Sequence, residues 1–231
     1  MDWEWTAKEY KRACDKQLFK LLQVQWGYDL LQWYMRDEDL LMTMLDDPEL
    51  IRDMNLTQVE LALSMLDMFG SRGFKFDGVF YYNDMGYRNG ILFSPDTYMK
   101  VQYEADKIGF DYFHSKDMKV MLHCDGDVRE LIPILVDIGL DCLEPLEVKA
   151  NMDLKTIKDK YGDKLTLMGG IDTRIIEEGM DEELENEIKT KFKIGKKGGG
   201  YIYHSDHSIT EKVSFKRFCF LMELIKKYGK Y

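Results

Sequence analysis

Six times along this 231-residue chain, an apolar run with no polar alternation passes through a short polar cluster into a helical stretch. The runs are residues 18–27 (LFKLLQVQWG), 78–84 (GVFYYND), 120–125 (VMLHCD), 141–147 (DCLEPLE), 165–172 (LTLMGGID) and 200–207 (GYIYHSDH). A strand with one solvated face alternates apolar and polar residues, whereas a strand covered by helices on both faces does not need to. The pattern therefore predicts parallel strands joined by helical crossovers, an α/β fold. Helices are expected over residues 48–70, 127–138, 153–161, 181–194 and 214–228. A further helix opens at Ser94-Pro95-Asp96, a capping residue followed by proline at the first helical position.

The polar residues are placed asymmetrically. Almost every run ends at its carboxyl end in groups capable of chemistry: Asn83-Asp84, His123-Cys124-Asp125, Glu144 and Glu147, Asp172, and His204-Asp206-His207. An open doubly wound sheet uses only the strand ends beside its switch point, whereas a (β/α) barrel brings all of them to one mouth. The expectation is thus a TIM-type barrel. About six of the eight strands of a closed barrel are legible, and residues 6–17 read as a helix where a preceding strand would have to be. The chain is therefore expected to be a single partial barrel domain over residues 1–231, truncated at its N-terminus. Its open strand edges would be covered by a second copy, giving a homo-oligomer, or by a chain that completes the barrel.

Composition narrows the partners. A net charge of −10 argues against a nucleic-acid surface, which needs clustered Lys and Arg. Cys14, Cys124, Cys142 and Cys219 are too few and scattered for a disulfide framework. The acidic, aromatic start is not expected to be a secretory leader, and no apolar run comes near the roughly 20 residues of a membrane span. A cytoplasmic protein acting on a small molecule, away from membranes, is expected.

Four stretches in order resemble the uroporphyrinogen decarboxylase superfamily. FDGVFYYNDMGYRNGILFSPDTY (residues 76–98) is similar to a family strand that ends in an acidic residue before an SPE-like helix start. KVMLHCDGDVRELIPILVDIGLDCLEPLE (residues 119–147) resembles the block that begins HS(C/D)G, and KYGDKLTLMGGID (residues 160–172) resembles the YGD…GGID strand. GGGYIYHSDHSI (residues 198–209) resembles the last barrel strand. The resemblance runs from about Trp26 to the end of the chain and implies the C-terminal two-thirds of a barrel. The N-terminal arginines and aspartate that hold porphyrinogen carboxylates in the heme-pathway decarboxylase have no counterpart. The branch of corrinoid- and cofactor-dependent methyltransferases is the nearer likeness.

Those methyltransferases bind zinc through a His-x-Cys motif in the strand matching residues 120–125, with a further ligand after the last strand. Aligned on His123 and Gly126, the Cys position holds Asp125 and the later ligand falls near His207. Alternation puts His123 and Asp125 on one face and turns Cys124 away. His123, Asp125 and His207 are thereby expected to hold zinc or another divalent metal, the loss of a thiolate opening the site to Fe or Mn. Hydrogen-bonded histidines lining a metal-free polar pocket are the alternative. Asp84 is a candidate catalytic carboxylate, either orienting substrate or moving a proton, or else a turn cap. Glu144, Asp172, His204 and Asp206 are candidate substrate-binding groups. The odd offset between His204 and His207 lets both face inward only if the strand ends or bulges between them.

The resemblance implies a metal-assisted methyltransferase acting on a small methylated compound, with a corrinoid protein as partner. A metal-free decarboxylase of a porphyrinogen or other polycarboxylate, resting on Asp84, is the second reading. A non-catalytic subunit that completes a barrel with another chain is the third.

Overall fold

The structure, a computed structural model, describes residues 2–231. Along the chain run α1 (Trp3–Asp15), β1 (Leu21–Gln25), α2 (Tyr28–Met35), α3 (Asp37–Asp46), α4 (Pro48–Gly70), β2 (Gly78–Tyr82), β3 (Gly86–Tyr87) and β4 (Gly90–Ile91). There follow α5 (Pro95–Val101), α6 (Tyr103–Ser115), β5 (Lys119–His123), α7 (Ile132–Asp137), β6 (Cys142–Glu144), α8 (Leu154–Tyr161) and β7 (Thr166–Met168). The chain closes with α9 (Thr173–Glu178), α10 (Asp181–Gly195), β8 (Tyr201–Ile202) and α11 (Phe215–Tyr228).

All six apolar runs form strands, and these make one sheet in the order β1-β2-β5-β6-β7-β8. The pairs β1–β2, β6–β7 and β7–β8 are parallel, as helical crossovers require. Strands are added in one direction only, so the order has no reversal of the doubly wound kind. Strands β3 and β4 form a separate antiparallel hairpin that the sequence pattern does not reveal.

The chain divides into two compact units, Met1–Asn83 with Asp96–Met121, and Asp84–Pro95 with Leu122–Tyr231. In the first, β1 pairs with β2 from Leu21↔Gly78 to Gln25↔Tyr82, and α4 packs along α6. Helix α4 starts where Asp47 accepts from the Leu50 amide with Pro48 behind it. The core of this unit holds the buried carboxylate Asp106. Asp106 accepts hydrogen bonds from Trp26 Nε1 (2.6 Å), Tyr98 OH (2.6 Å), Tyr81 OH (3.0 Å) and Gln102 Nε2 (3.1 Å). The Trp26 and Tyr81 rings stack at 3.8 Å beside it. Burial pushes the Asp106 carboxyl up, against the pull of those four donors.

In the second unit α10 packs against α8 and α11. Asp153, Asp172 and Ser214 cap α8, α9 and α11 by accepting backbone amides. The helix expected over residues 127–138 begins only at Ile132. Before it, Gly126 adopts φ +85° and Asp127 grips the Arg129 guanidinium through Nε (2.8 Å) and Nη2 (2.6 Å), a turn that postpones the helix. The helix opening at Pro95 breaks at Gln102 into α5 and α6. No helix among the described residues is long and apolar enough to cross a membrane.

Removing the Asp106 carboxylate strands its donors in a buried site. Asp106→Ala is expected to cost about 3–5 kcal/mol in urea denaturation, since each unsatisfied buried group costs about 1–3 kcal/mol. Lys155→Ala, which breaks an exposed pair with Asp159, leaves the midpoint unmoved. Equal midpoints for the two variants would contradict the buried-network account.

Candidate metal centre

Parallel strands present their carboxyl ends side by side, and in the second unit these ends carry the polar groups. His123 ends β5 and Glu144 ends β6, Asp125 lies two residues beyond β5, and His204 lies two residues beyond β8. Asp84 opens the segment that leads into the β3–β4 hairpin. Alternation turns the buried Cys124 away from its neighbours, and its Sγ accepts the Met85 amide at 3.1 Å. Gly126 is indispensable here: at φ +85° a Cβ would run into the backbone of Gly86 and Tyr87. The hairpin thus presses against the loop after β5, and the Asp125 amide donates to Asp84 Oδ1 at 2.7 Å.

Three of the resulting side chains converge. His123 Nε2 lies 3.7 Å from Asp84 Oδ1 and 3.9 Å from Asp125 Oδ2. One ligand atom from each of Asp84, His123 and Asp125 falls within 4.8 Å of the other two, a separation a single ion can bridge. His207 Nε2 stands 4.0 Å from Asp125 Oδ2. Asp125 Oδ1 is buried and has no hydrogen-bond partner among the described residues. An orphaned buried carboxylate oxygen is rare and costly, and a cation is one kind of partner that could satisfy it. Two carboxylates and an imidazole are a legitimate donor set for zinc, iron or manganese.

The electrostatics agree with the geometry. Burial pushes the Asp84 carboxyl up, and the like charges of Asp125 and Glu144 add to it, against the Asp125 amide and His123. Burial pushes Asp125 up as well, helped by Glu147 and Glu144 and opposed by His123 and His207. Burial draws His123 down, but its hydrogen bond to Glu144 and the charges of Asp84 and Asp125 outweigh it, and the ring ends above its ordinary range.

The structure places the other candidates differently. Glu144 is buried behind His123, in contact with its Nδ1. His204 Nδ1 lies 3.1 Å from the other Glu144 oxygen, and because β8 ends at Ile202 both His204 and His207 reach the group despite their odd offset. Asp206 is engaged by the loops, accepting from the Val148 amide (3.0 Å), the Thr173 amide (2.9 Å) and Thr173 Oγ1 (2.8 Å). Asp172 accepts from the Arg174 amide and guanidinium. Glu147, not singled out among the substrate-binding candidates, accepts the Gly126 amide at 2.8 Å and pairs with Lys149 at 2.9 Å. It thereby supports the loop that carries Asp125. Its position three residues after Glu144 is the signal that could have separated their roles.

Comparison with known proteins finds likeness both to a family profile and to solved structures. Residues 34–228 match the family profile of Uroporphyrinogen decarboxylase (URO-D). A solved methyltransferase from Methanosarcina mazei shares the fold with a TM-score of 0.63 and 15% sequence identity, over 84% of this chain and 54% of that one. The chain therefore spans about half the length of that structure. No curated protein matches the chain.

Protein rinsed free of metal with a chelator should take up about one equivalent of Zn2+, and His123→Ala should abolish the uptake. Because all three groups hold their protons to higher pH than free residues, protons compete with the ion as pH falls. Affinity measured by chelator competition should weaken from pH 8 to 6, by about tenfold per pH unit for each proton displaced. Binding that is independent of pH would contradict this site.

Proposed function

This chain belongs to the uroporphyrinogen decarboxylase family, and from that membership we propose that it is a metal-assisted methyltransferase. It acts in the cytoplasm on a small methylated compound and exchanges the methyl group with a corrinoid carried by a partner protein. The observation that carries the reading is the convergence of Asp84, His123 and Asp125 around a buried, unpartnered carboxylate oxygen. The fold shared with a solved methyltransferase supports it.

Asp84, His123 and Asp125 would hold the ion, and His207, with Nε2 4.0 Å from Asp125 Oδ2, would stand beside them as a further donor. A divalent ion bound there supplies Lewis-acid polarisation of the substrate heteroatom that carries the methyl group. We assign Asp84 to the ion rather than to proton transfer because its Oδ1 lies 3.7 Å from His123 Nε2. Glu147 holds the Gly126 amide and with it the loop that positions Asp125. Lys149, paired with Glu147 at 2.9 Å, limits the charge that this carboxylate adds to the site.

The reading takes the six-stranded sheet as part of a TIM-type barrel, with the chain as one partial barrel domain. The corrinoid protein docks over the carboxyl ends of the strands, and a second copy or another chain covers the open strand edges.

The test supplies zinc-loaded protein with free cob(I)alamin and, in turn, methanol, methylamines, methyl sulfides and methyl ethers, and follows methylcobalamin by its absorbance. Turnover with one of these classes is expected, lowered at least about a hundredfold in Asp125→Asn, the scale of a lost metal contribution. Metal-free protein that decarboxylates a porphyrinogen would overturn the reading.

A further inference from the structure

Glu144 is 3% exposed and sits at the last position of β6. A carboxylate so deep in a protein needs charged or hydrogen-bonding partners, because desolvation without them is costly. Among the described residues its ionic partners are two imidazoles, one on each oxygen. Oε2 contacts His123 Nδ1, and Oε1 lies 3.1 Å from His204 Nδ1. With both oxygens engaged, Glu144 has little capacity left to receive a substrate.

The arrangement constrains where the ring protons sit. His204 Nδ1 also lies 2.7 Å from the Ser205 carbonyl oxygen. Between a carbonyl and a carboxylate oxygen, that nitrogen can only donate, so it carries the hydrogen. His123 Nδ1 faces the other Glu144 oxygen, while its Nε2 faces Asp84 Oδ1 and Asp125 Oδ2 at 3.7 and 3.9 Å. A neutral imidazole has one N–H; if Nδ1 holds it, Nε2 offers a lone pair. An ion between Asp84 and Asp125 requires that lone pair.

We propose that Glu144 is the positioning residue of the metal centre, accepting the Nδ1–H of His123, with the His204 ring beside its other oxygen. The carboxylate fixes both the tautomer and the rotation of the His123 ring, so that Nε2 points between Asp84 and Asp125. His204 stands one step further out, its Nδ1–H on the Ser205 carbonyl at 2.7 Å and the same nitrogen 3.1 Å from Glu144 Oε1. The inference rests on the metal reading for its purpose, but the tautomer it assigns to His123 is a property of the metal-free protein. Carboxylate–histidine pairs of this kind orient metal ligands, and their loss typically weakens metal binding about 10–100-fold.

The experiment has two independent arms. In the first, long-range proton–nitrogen correlation spectra resolve the rings of the four histidines in metal-free wild-type protein, at a pH where they are neutral. His123 should carry its hydrogen on Nδ1; a hydrogen on Nε2 overturns the proposal. In the second, zinc affinity is measured by chelator competition. Glu144→Gln should bind about 10–100-fold more weakly at unchanged stoichiometry, and Glu144→Asp should recover part of the loss. Binding by Glu144→Gln within twofold of wild type also overturns it. If wild-type protein takes up no zinc, the metal reading fails, and the ring spectrum alone decides the role of Glu144. If Glu144→Gln does not fold, the same spectrum of the wild type decides.

Discussion

Strands that run parallel place their carboxyl ends along one edge of a sheet, and backbone alternation then decides which end residues face one another. In the second unit this constraint sets His123 at the end of β5 and Glu144 at the end of β6, registered by the Cys124 amide donating to the Glu144 carbonyl at 2.9 Å. The two side chains meet. From that contact the rest is fixed outward: Nε2 of His123 is directed away from Glu144, toward Asp84 and Asp125. The loop after β8 supplies His204 to the far side of Glu144 and His207 to the side of Asp125.

The group so assembled is electrostatically unfinished. Asp84 and Asp125 both hold their protons above the ordinary carboxylate range, chiefly through burial, with the charge of Glu144 adding to both. Among the described residues, Asp125 Oδ1 has no hydrogen-bond partner. By contrast Asp106, the buried carboxylate of the first unit, has four donors and serves the core. The two sites differ in that one carboxylate is saturated with donors and the other keeps an unsatisfied oxygen, the feature on which the metal proposal rests. Asp172 and Asp206 fall on the structural side as well, since loop amides, the Arg174 guanidinium and the Thr173 hydroxyl occupy them.

Much of this is legible in the sequence, for identifiable reasons. The strands declare themselves because burial on both faces removes alternation, and α4 because a cap, a proline and an apolar stripe coincide at residues 47–70. Helices α2 and α3 leave no such stripe, for their sequences carry Trp33, Tyr34, Met42 and Leu45 on exposed positions among charged residues. The late start of α7 depends on the positive φ of Gly126 and the Asp127–Arg129 turn, which apolar periodicity does not encode. At the site, residue types at strand ends are readable but pairings between strands are not. Glu144 is visible as a carboxylate near chemistry, whereas its position behind His123 depends on the register of β6 against β5. The odd offset of His204 and His207 is resolved only by β8 ending at Ile202.

The central claim is that Asp84, His123 and Asp125 together hold one divalent ion through oxygen and nitrogen alone. X-ray absorption at the zinc edge of the zinc-loaded protein tests it most directly. The account predicts a shell of nitrogen and oxygen at about 2.0–2.2 Å, outer scattering from one or two imidazoles, and no sulfur. A sulfur shell near about 2.3 Å would place the ion on a cysteine and contradict the account.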